Sequence, residues 1–109
     1  MPSYSKDEVI LVRYPFSDLS SSKVRPAIVV HAPHVSQDNF IVPLTSRIGS
    51  LLPGEFVIRD ASSAGLHVSS AIKRGPYTVD SALVVRLLGK LSQNDAQQLE
   101  QSLRQWLGL

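Results

Sequence analysis

Two runs rich in β-branched and aromatic residues, 9–16 and 27–31, enclose a stretch, 17–23, in which only Leu19 is apolar. Side chains of the first kind favour the pleated sheet, and hydroxyl-bearing and charged ones favour loops. Residues 8–30 therefore read as strand, polar loop, strand. A loop of that composition has little with which to pack a core and much with which to bind. Arg25 and Pro26 stand where it re-enters the sheet. A permanently charged guanidinium on a rigid element suits a phosphate, the more so beside a loop carrying the hydroxyls of Ser20, Ser21 and Ser22 and the ammonium of Lys23.

The rest of the chain follows the same short-strand pattern. In the first strand Ile10, Val12, Tyr14 and Phe16 share one face, read as the core face, and Arg13 points outward. Residues 27–30 are continuously apolar, as in a strand covered on both sides. A third strand sets Phe40, Val42 and Leu44 against Ile41, Pro43 and Thr45, and the interior proline predicts an edge position or a strand end. The turn at Pro53-Gly54 opens a fourth strand with Phe56 and Ile58 inward and Glu55 and Arg59 outward. Residues 60–65 read as a turn, 68–74 as a fifth strand, 77–79 as extended chain, 81–84 as a helical turn and 85–91 as a last strand. One clear helix closes the chain: Ser92 caps it with Asp95 three residues on, Ala96, Leu99, Leu103, Trp106 and Leu107 share one face, and Gly108 stops it. Short antiparallel strands with one terminal helix make a small α+β fold built on a curled sheet.

Composition bounds the function without choosing it. A chain of 109 residues is one domain. No apolar run approaches the roughly 18 residues that a membrane helix needs. The polar first residues carry no apolar segment after a basic start, so a cytoplasmic protein is expected. The absence of cysteine excludes disulfides, thiol catalysis and cysteine-bound zinc. A formal net charge of +2 permits an anionic partner. No His and carboxylate spacing marks a metal site, and neither a glycine-rich phosphate loop nor a nucleophile elbow is present.

The stretch YPFSDLSSSKVRPAIVV resembles the first strand, loop and Arg-Pro strand of the PemK/MazF-type toxins of bacterial toxin–antitoxin pairs. IVPLTS (41–46) is similar to the family's strand ending in Thr-Ser, LPGEFVI (52–58) to its next strand, and YTVDSALVVRLLGKLS (77–92) to its late Thr-hydrophobic-Asp turn and helix entry. Residues 1–109 then form a single toxin domain. The resemblance implies an SH3-like curled β-barrel with a C-terminal helix, the fold shared with the CcdB toxins. It also implies a sequence-selective endoribonuclease that cuts single-stranded mRNA without a metal or cofactor, leaving 2′,3′-cyclic phosphate and 5′-hydroxyl ends. A homodimer is expected, inhibited by an antitoxin with an acidic, flexible tail.

Residue by residue, Arg25 matches the family's catalytic arginine; on its own it fits equally an ion pair with Asp18. Its guanidinium would stabilise charge growing on the phosphate oxygens, since a guanidinium gives up its proton only with difficulty. Thr45 matches the strand-end threonine, a positioning hydroxyl, with Ser46 beside it; the plain alternative is a threonine chosen for the strand. Lys73 and Arg74 would bind backbone phosphates. Residues 72–76 lack the carboxylate that some family members use there, which leaves the general base open. His31, His34 and His67 read as surface residues. Tyr14, Phe16 and Tyr77 could stack on bases, but the first two lie on the presumed core face and Tyr77 is open either way. Two other functions fit the same fold. One is a non-catalytic gyrase poison acting through its chain end, where Trp106 stands; the other is an inactive binding module.

Overall fold

The β-branched runs form strands as their composition requires. The computed structural model of the protein describes residues 4–14, 23–32, 35–36 and 38–109. In chain order the elements are β1 (Glu8–Tyr14), β2 (Lys23–Val29), β3 (Asp38–Thr45), β4 (Ala71–Ile72), β5 (Tyr77–Asp80), a 3-10 turn (Ser81–Leu83), β6 (Val84–Lys90) and α1 (Gln93–Leu107). The strands pair antiparallel in the order β4-β3-β2-β1-β6, and β5 also pairs with β3. Among the described residues no ladder joins β6 back to β4 or β5, so the sheet is open where a closed SH3-like barrel is expected. The reason lies in residues 53–70. They are too rich in Ser, Gly and charge to sustain strands, and the expected fourth strand contributes one bridge, Val57 to Ala71. The expected fifth strand shrinks to Ala71–Ile72.

Both faces of the sheet are covered. Ile10, Val12, Ala27, Val29, Ile41 and Val79 form one apolar cluster, on which Leu83 and Val84 pack. Alternate residues of the same strands, Val9, Ile28, Val42 and Leu44, form a second cluster with Phe56, Ile58, Leu91 and Leu99 under the helix. Val9 is thus wholly buried although it lies opposite the expected core face of β1. Pro43 corrects a further expectation, because it sits inside a strand flanked on both sides. Its carbonyl accepts from the Lys73 N–H at 2.9 Å, on the β4 side. Its missing N–H falls on that same side, just past the end of β4 at the break between β4 and β5, where the ladder is already interrupted.

The helix is held as its sequence indicates. Ser92 Oγ accepts from the Asp95 N–H, and Gly108 takes the left-handed conformation at φ 72° to end it. Leu99 is buried at the centre of its inner face; truncation to alanine there would cost about 2–5 kcal/mol. Trp106 packs on the same core, its indole N–H donating to the Pro53 carbonyl at 3.0 Å. Leu107, expected on that face, is half exposed in the last turn. Residues 52–55 form a type II turn in which Pro53 presets the backbone and Gly54 supplies φ 89°. A Cβ on Gly54 would stand 2.4 Å from the Trp106 ring nitrogen, so only glycine lets the turn reach the helix.

Candidate active site

The β2 and β3 ladder pairs Val29 with Ile41, Ile28 with Val42 and Ala27 with Pro43. Continuing this register along the same face sets Arg25 opposite Thr45. Ala27, Val29 and Ile41 on that face are buried in apolar core, but at Arg25 and Thr45 the core has ended and the face opens to solvent. There the two side chains line a cleft of about 260 Å³ together with Ser46, Arg47 and Ser70. Thr45 and Arg47 also border a second hollow of about 560 Å³, whose far wall includes Ser50 and Lys73.

Thr45 Oγ1 accepts from the Arg47 backbone N–H at 3.1 Å. That bond occupies a lone pair and leaves the hydroxyl hydrogen free to donate into the cleft. Among the described residues neither Arg25 nor Arg47 meets a carboxylate, and Asp18, the alternative partner for Arg25, lies outside them. Two guanidiniums and a hydroxyl at one opening have the chemistry to receive an anion, and a guanidinium can meet phosphate oxygens bidentately.

The sequence-derived candidates divide in three. Arg25, Thr45 and Ser46 come together, and Lys73 joins them through the adjoining hollow. Arg74 borders neither hollow; its contribution is its backbone N–H. Ser20, Ser21 and Ser22 lie outside the described residues, as do Phe16 and His34, while Lys23 opens β2 opposite Tyr14. Of the remaining histidines, His67 is exposed. His31 is engaged at the far end of β2, its Nε2 2.9 Å from Asn39 Oδ1, and Asn39 in turn donates to Ser81 Oγ at 3.0 Å. Neither histidine borders the cleft. Among the described residues no three His, Asp or Glu side chains gather as a metal site would require.

Two residues were missed by sequence reasoning. Arg47 looked like part of a connection, and only the strand end at Thr45 brings it to the cleft. Glu55 was expected outside, yet its side chain is 1% exposed. Its Oε1 accepts from the Leu52 N–H at 2.8 Å and lies 3.4 Å from the Lys73 ammonium. Its Oε2 accepts from the Arg74 N–H at 2.9 Å. The carboxylate lacking in residues 72–76 is thus supplied to that stretch from a distant turn. Burial alone would raise the Glu55 pKa, but the Leu52 and Arg74 N–H bonds and the Lys73 charge together hold it below its ordinary value. A carboxylate so held positions Lys73 and is a poor proton acceptor. The available signal was Glu three residues after Leu52 across Pro-Gly, the spacing at which a carboxylate closes its own turn.

An antiparallel sheet with one terminal helix agrees with what the comparisons find. The family model described as "PemK-like, MazF-like toxin of type II toxin-antitoxin system" matches residues 5–107, and the chain belongs to that family. Among solved structures it is similar to an endoribonuclease from Mycobacterial species, with a TM-score of 0.77 and 16% identity over 100% of this chain and 95% of that one. It is also similar to an endoribonuclease in complex with its cognate antitoxin from Mycobacterial species, at 0.74 and 16% over 98% and 97%. MazF from Deinococcus radiodurans gives 0.75 and 19% over 97% of each chain. The comparison with curated protein sequences finds no match.

Proposed function

We propose that this chain is the endoribonuclease toxin of a toxin–antitoxin pair, cutting single-stranded mRNA at a selected sequence. The observation that carries the reading is the meeting of Arg25 and Thr45, matched separately to the family's motifs, across one ladder at one open cleft. The 2′-oxygen attacks phosphorus as its proton passes to solvent water, the bond to the 5′-oxygen breaks, and the 5′-oxygen takes up a proton from water. The products are a 2′,3′-cyclic phosphate and a 5′-hydroxyl. Arg25 stabilises the charge that grows on the non-bridging oxygens, with Arg47 beside it, and the Thr45 hydroxyl donates to the same group and orients it. Neutralisation by the chain's own cations makes a metal unnecessary for this step. Lys73 holds the neighbouring backbone phosphate.

A homodimer and a cytoplasmic location belong to the same reading. Among the described residues no helix is long and apolar enough to cross a membrane. An acidic, flexible antitoxin tail would lie in this cationic cleft in place of RNA. The fixing of Trp106 to Pro53 and the core supports the ribonuclease over a gyrase poison that would need its chain end free.

The test is cleavage of a long single-stranded RNA by the wild type and by Arg25→Ala. The variant should lose at least about 100-fold in rate while melting at the wild-type temperature, because Arg25 is exposed. Thr45→Ala should lose about 10- to 100-fold. Undiminished cutting by Arg25→Ala would sink the assignment.

A further inference from the structure

We propose that Tyr77 is a stacking platform for an unpaired RNA base flanking the scissile phosphate, an inference that rests on the ribonuclease reading above. Tyr77 opens β5 and pairs with Ile41, so its side chain shares the face of Ile41, Pro43 and Thr45. Lys73, whose N–H bonds the Pro43 carbonyl, follows Ile72 with its side chain on that face too. One surface of β3 and its neighbours therefore carries an aromatic ring at one end and Arg25, Thr45 and Lys73 at the other. Ile41 lies four residues before Thr45 on β3, which puts the ring and the hydroxyl about 13 Å apart along the strand.

Tyr77 is 53% exposed, although a tyrosine on a covered face would ordinarily be buried. Gly75 lies between the ring and Pro43. A Cβ on Gly75 would lie 3.5 Å from Pro43 Cδ and 3.5 Å from Tyr77 Cδ2, so the absent side chain leaves the floor between the two rings open. Phe40, the other exposed aromatic near this edge, points to the opposite face and meets the His31 ring edge-on. Tyr77 thus shares a face with the cleft and keeps ring surface exposed. Any base can stack on such a surface, so the platform supplies affinity and register while selectivity is set elsewhere.

The experiment measures binding of a fluorescent single-stranded 2′-O-methyl RNA, which lacks the attacking hydroxyl, together with KM and kcat on cleavable RNA. The proteins are wild type, Tyr77→Leu and Tyr77→Phe, each checked for its melting temperature. Tyr77→Leu keeps apolar bulk without a π-face and should weaken binding by about 5- to 100-fold, the loss falling chiefly on KM. Tyr77→Phe should bind like the wild type. Equal binding by Tyr77→Leu and wild type, with the wild type active, would overturn the platform alone. An equal loss in Tyr77→Phe would assign the effect to the hydroxyl and overturn stacking. A wild type that neither binds nor cuts RNA would remove the ribonuclease reading, and the platform with it.

Discussion

Glu55, in the Pro53-Gly54 turn, and Asp95, in the first turn of the helix, are both carboxylates removed from water, yet they sit in regions with different tasks. Asp95 is 0% exposed, and its oxygens accept from the Arg59 and Asp60 N–H groups at 3.0 Å each and from Ser92 Oγ at 3.2 Å. The two backbone contacts join the helix start to the chain that leads into the 60–65 turn, the Ser92 contact closes the helix cap, and none leaves the scaffold. Glu55 likewise satisfies two backbone N–H groups, but its third partner is Lys73, which borders the open side of the sheet. A buried acid whose partners are all neutral groups of the scaffold does fold work; one that also holds a cation beside the cleft links the fold to the proposed site. That difference can be broken or sharpened by substitution.

Of the buried acids, Asp95 is expected to have the largest effect on the scaffold. Asp95→Ala strands two buried N–H donors and should cost about 2–4 kcal/mol by denaturant unfolding, while RNA cleavage per folded molecule stays at the wild-type rate. Glu55→Gln should cost less, about 1–3 kcal/mol, because an amide keeps one acceptor for the two N–H groups. Its cleavage per folded molecule should fall several-fold as Lys73 loses its anchor. Equal behaviour of the two folded variants in the cleavage assay would erase the distinction.

Acid titration of stability sharpens the contrast with a third acid. The Glu55 pKa is lowered in the fold, so its stabilising contribution is present above the ordinary carboxylate range and disappears as pH falls through the lower folded value. Asp7 has the opposite sign. Burial raises its pKa, Lys6 and Lys90 partly offset this, and Glu100 adds to it. Its ionisation therefore costs stability as pH rises from the ordinary value through the raised one, and the cost persists at neutral pH. Asp7 also takes φ 74°, and its Oδ1 is buried without a hydrogen bond among the described residues. Asn tolerates that backbone and carries no charge. Asp7→Asn should gain up to about 1 kcal/mol at neutral pH, the smallest of these effects. Melting temperatures between acid and neutral pH should show Glu55→Gln flattening the acid loss and Asp7→Asn removing the opposing slope.

Much of this was legible in the chain. The strands β1, β2 and β3 follow from β-branched runs, and α1 from its Ser92 cap, inner face and Gly108 stop. Arg25 and Thr45 could be named singly from their motifs, but their meeting depends on register, which is a property of two strands together. The alternation expected after the Pro53-Gly54 turn holds from Phe56 to Arg59, but Glu55 belongs to the turn itself, where its carboxylate folds back onto the Leu52 N–H, so a period of two did not reach it. Pro43 misled for a related reason: its place beside the break between β4 and β5 is a tertiary fact with no local signal. Tyr77 was undecided until its partner Ile41 fixed its face.

The most direct measurement is incubation of the purified protein with a long single-stranded RNA in EDTA, followed by mapping of the cut ends. Discrete cuts at a recurring short sequence, each leaving a 2′,3′-cyclic phosphate and a 5′-hydroxyl, are the expected result. An RNA left intact in EDTA, or ends that carry 5′-phosphates, would contradict a cleft in which Arg25 and Thr45 act on the phosphate without a metal.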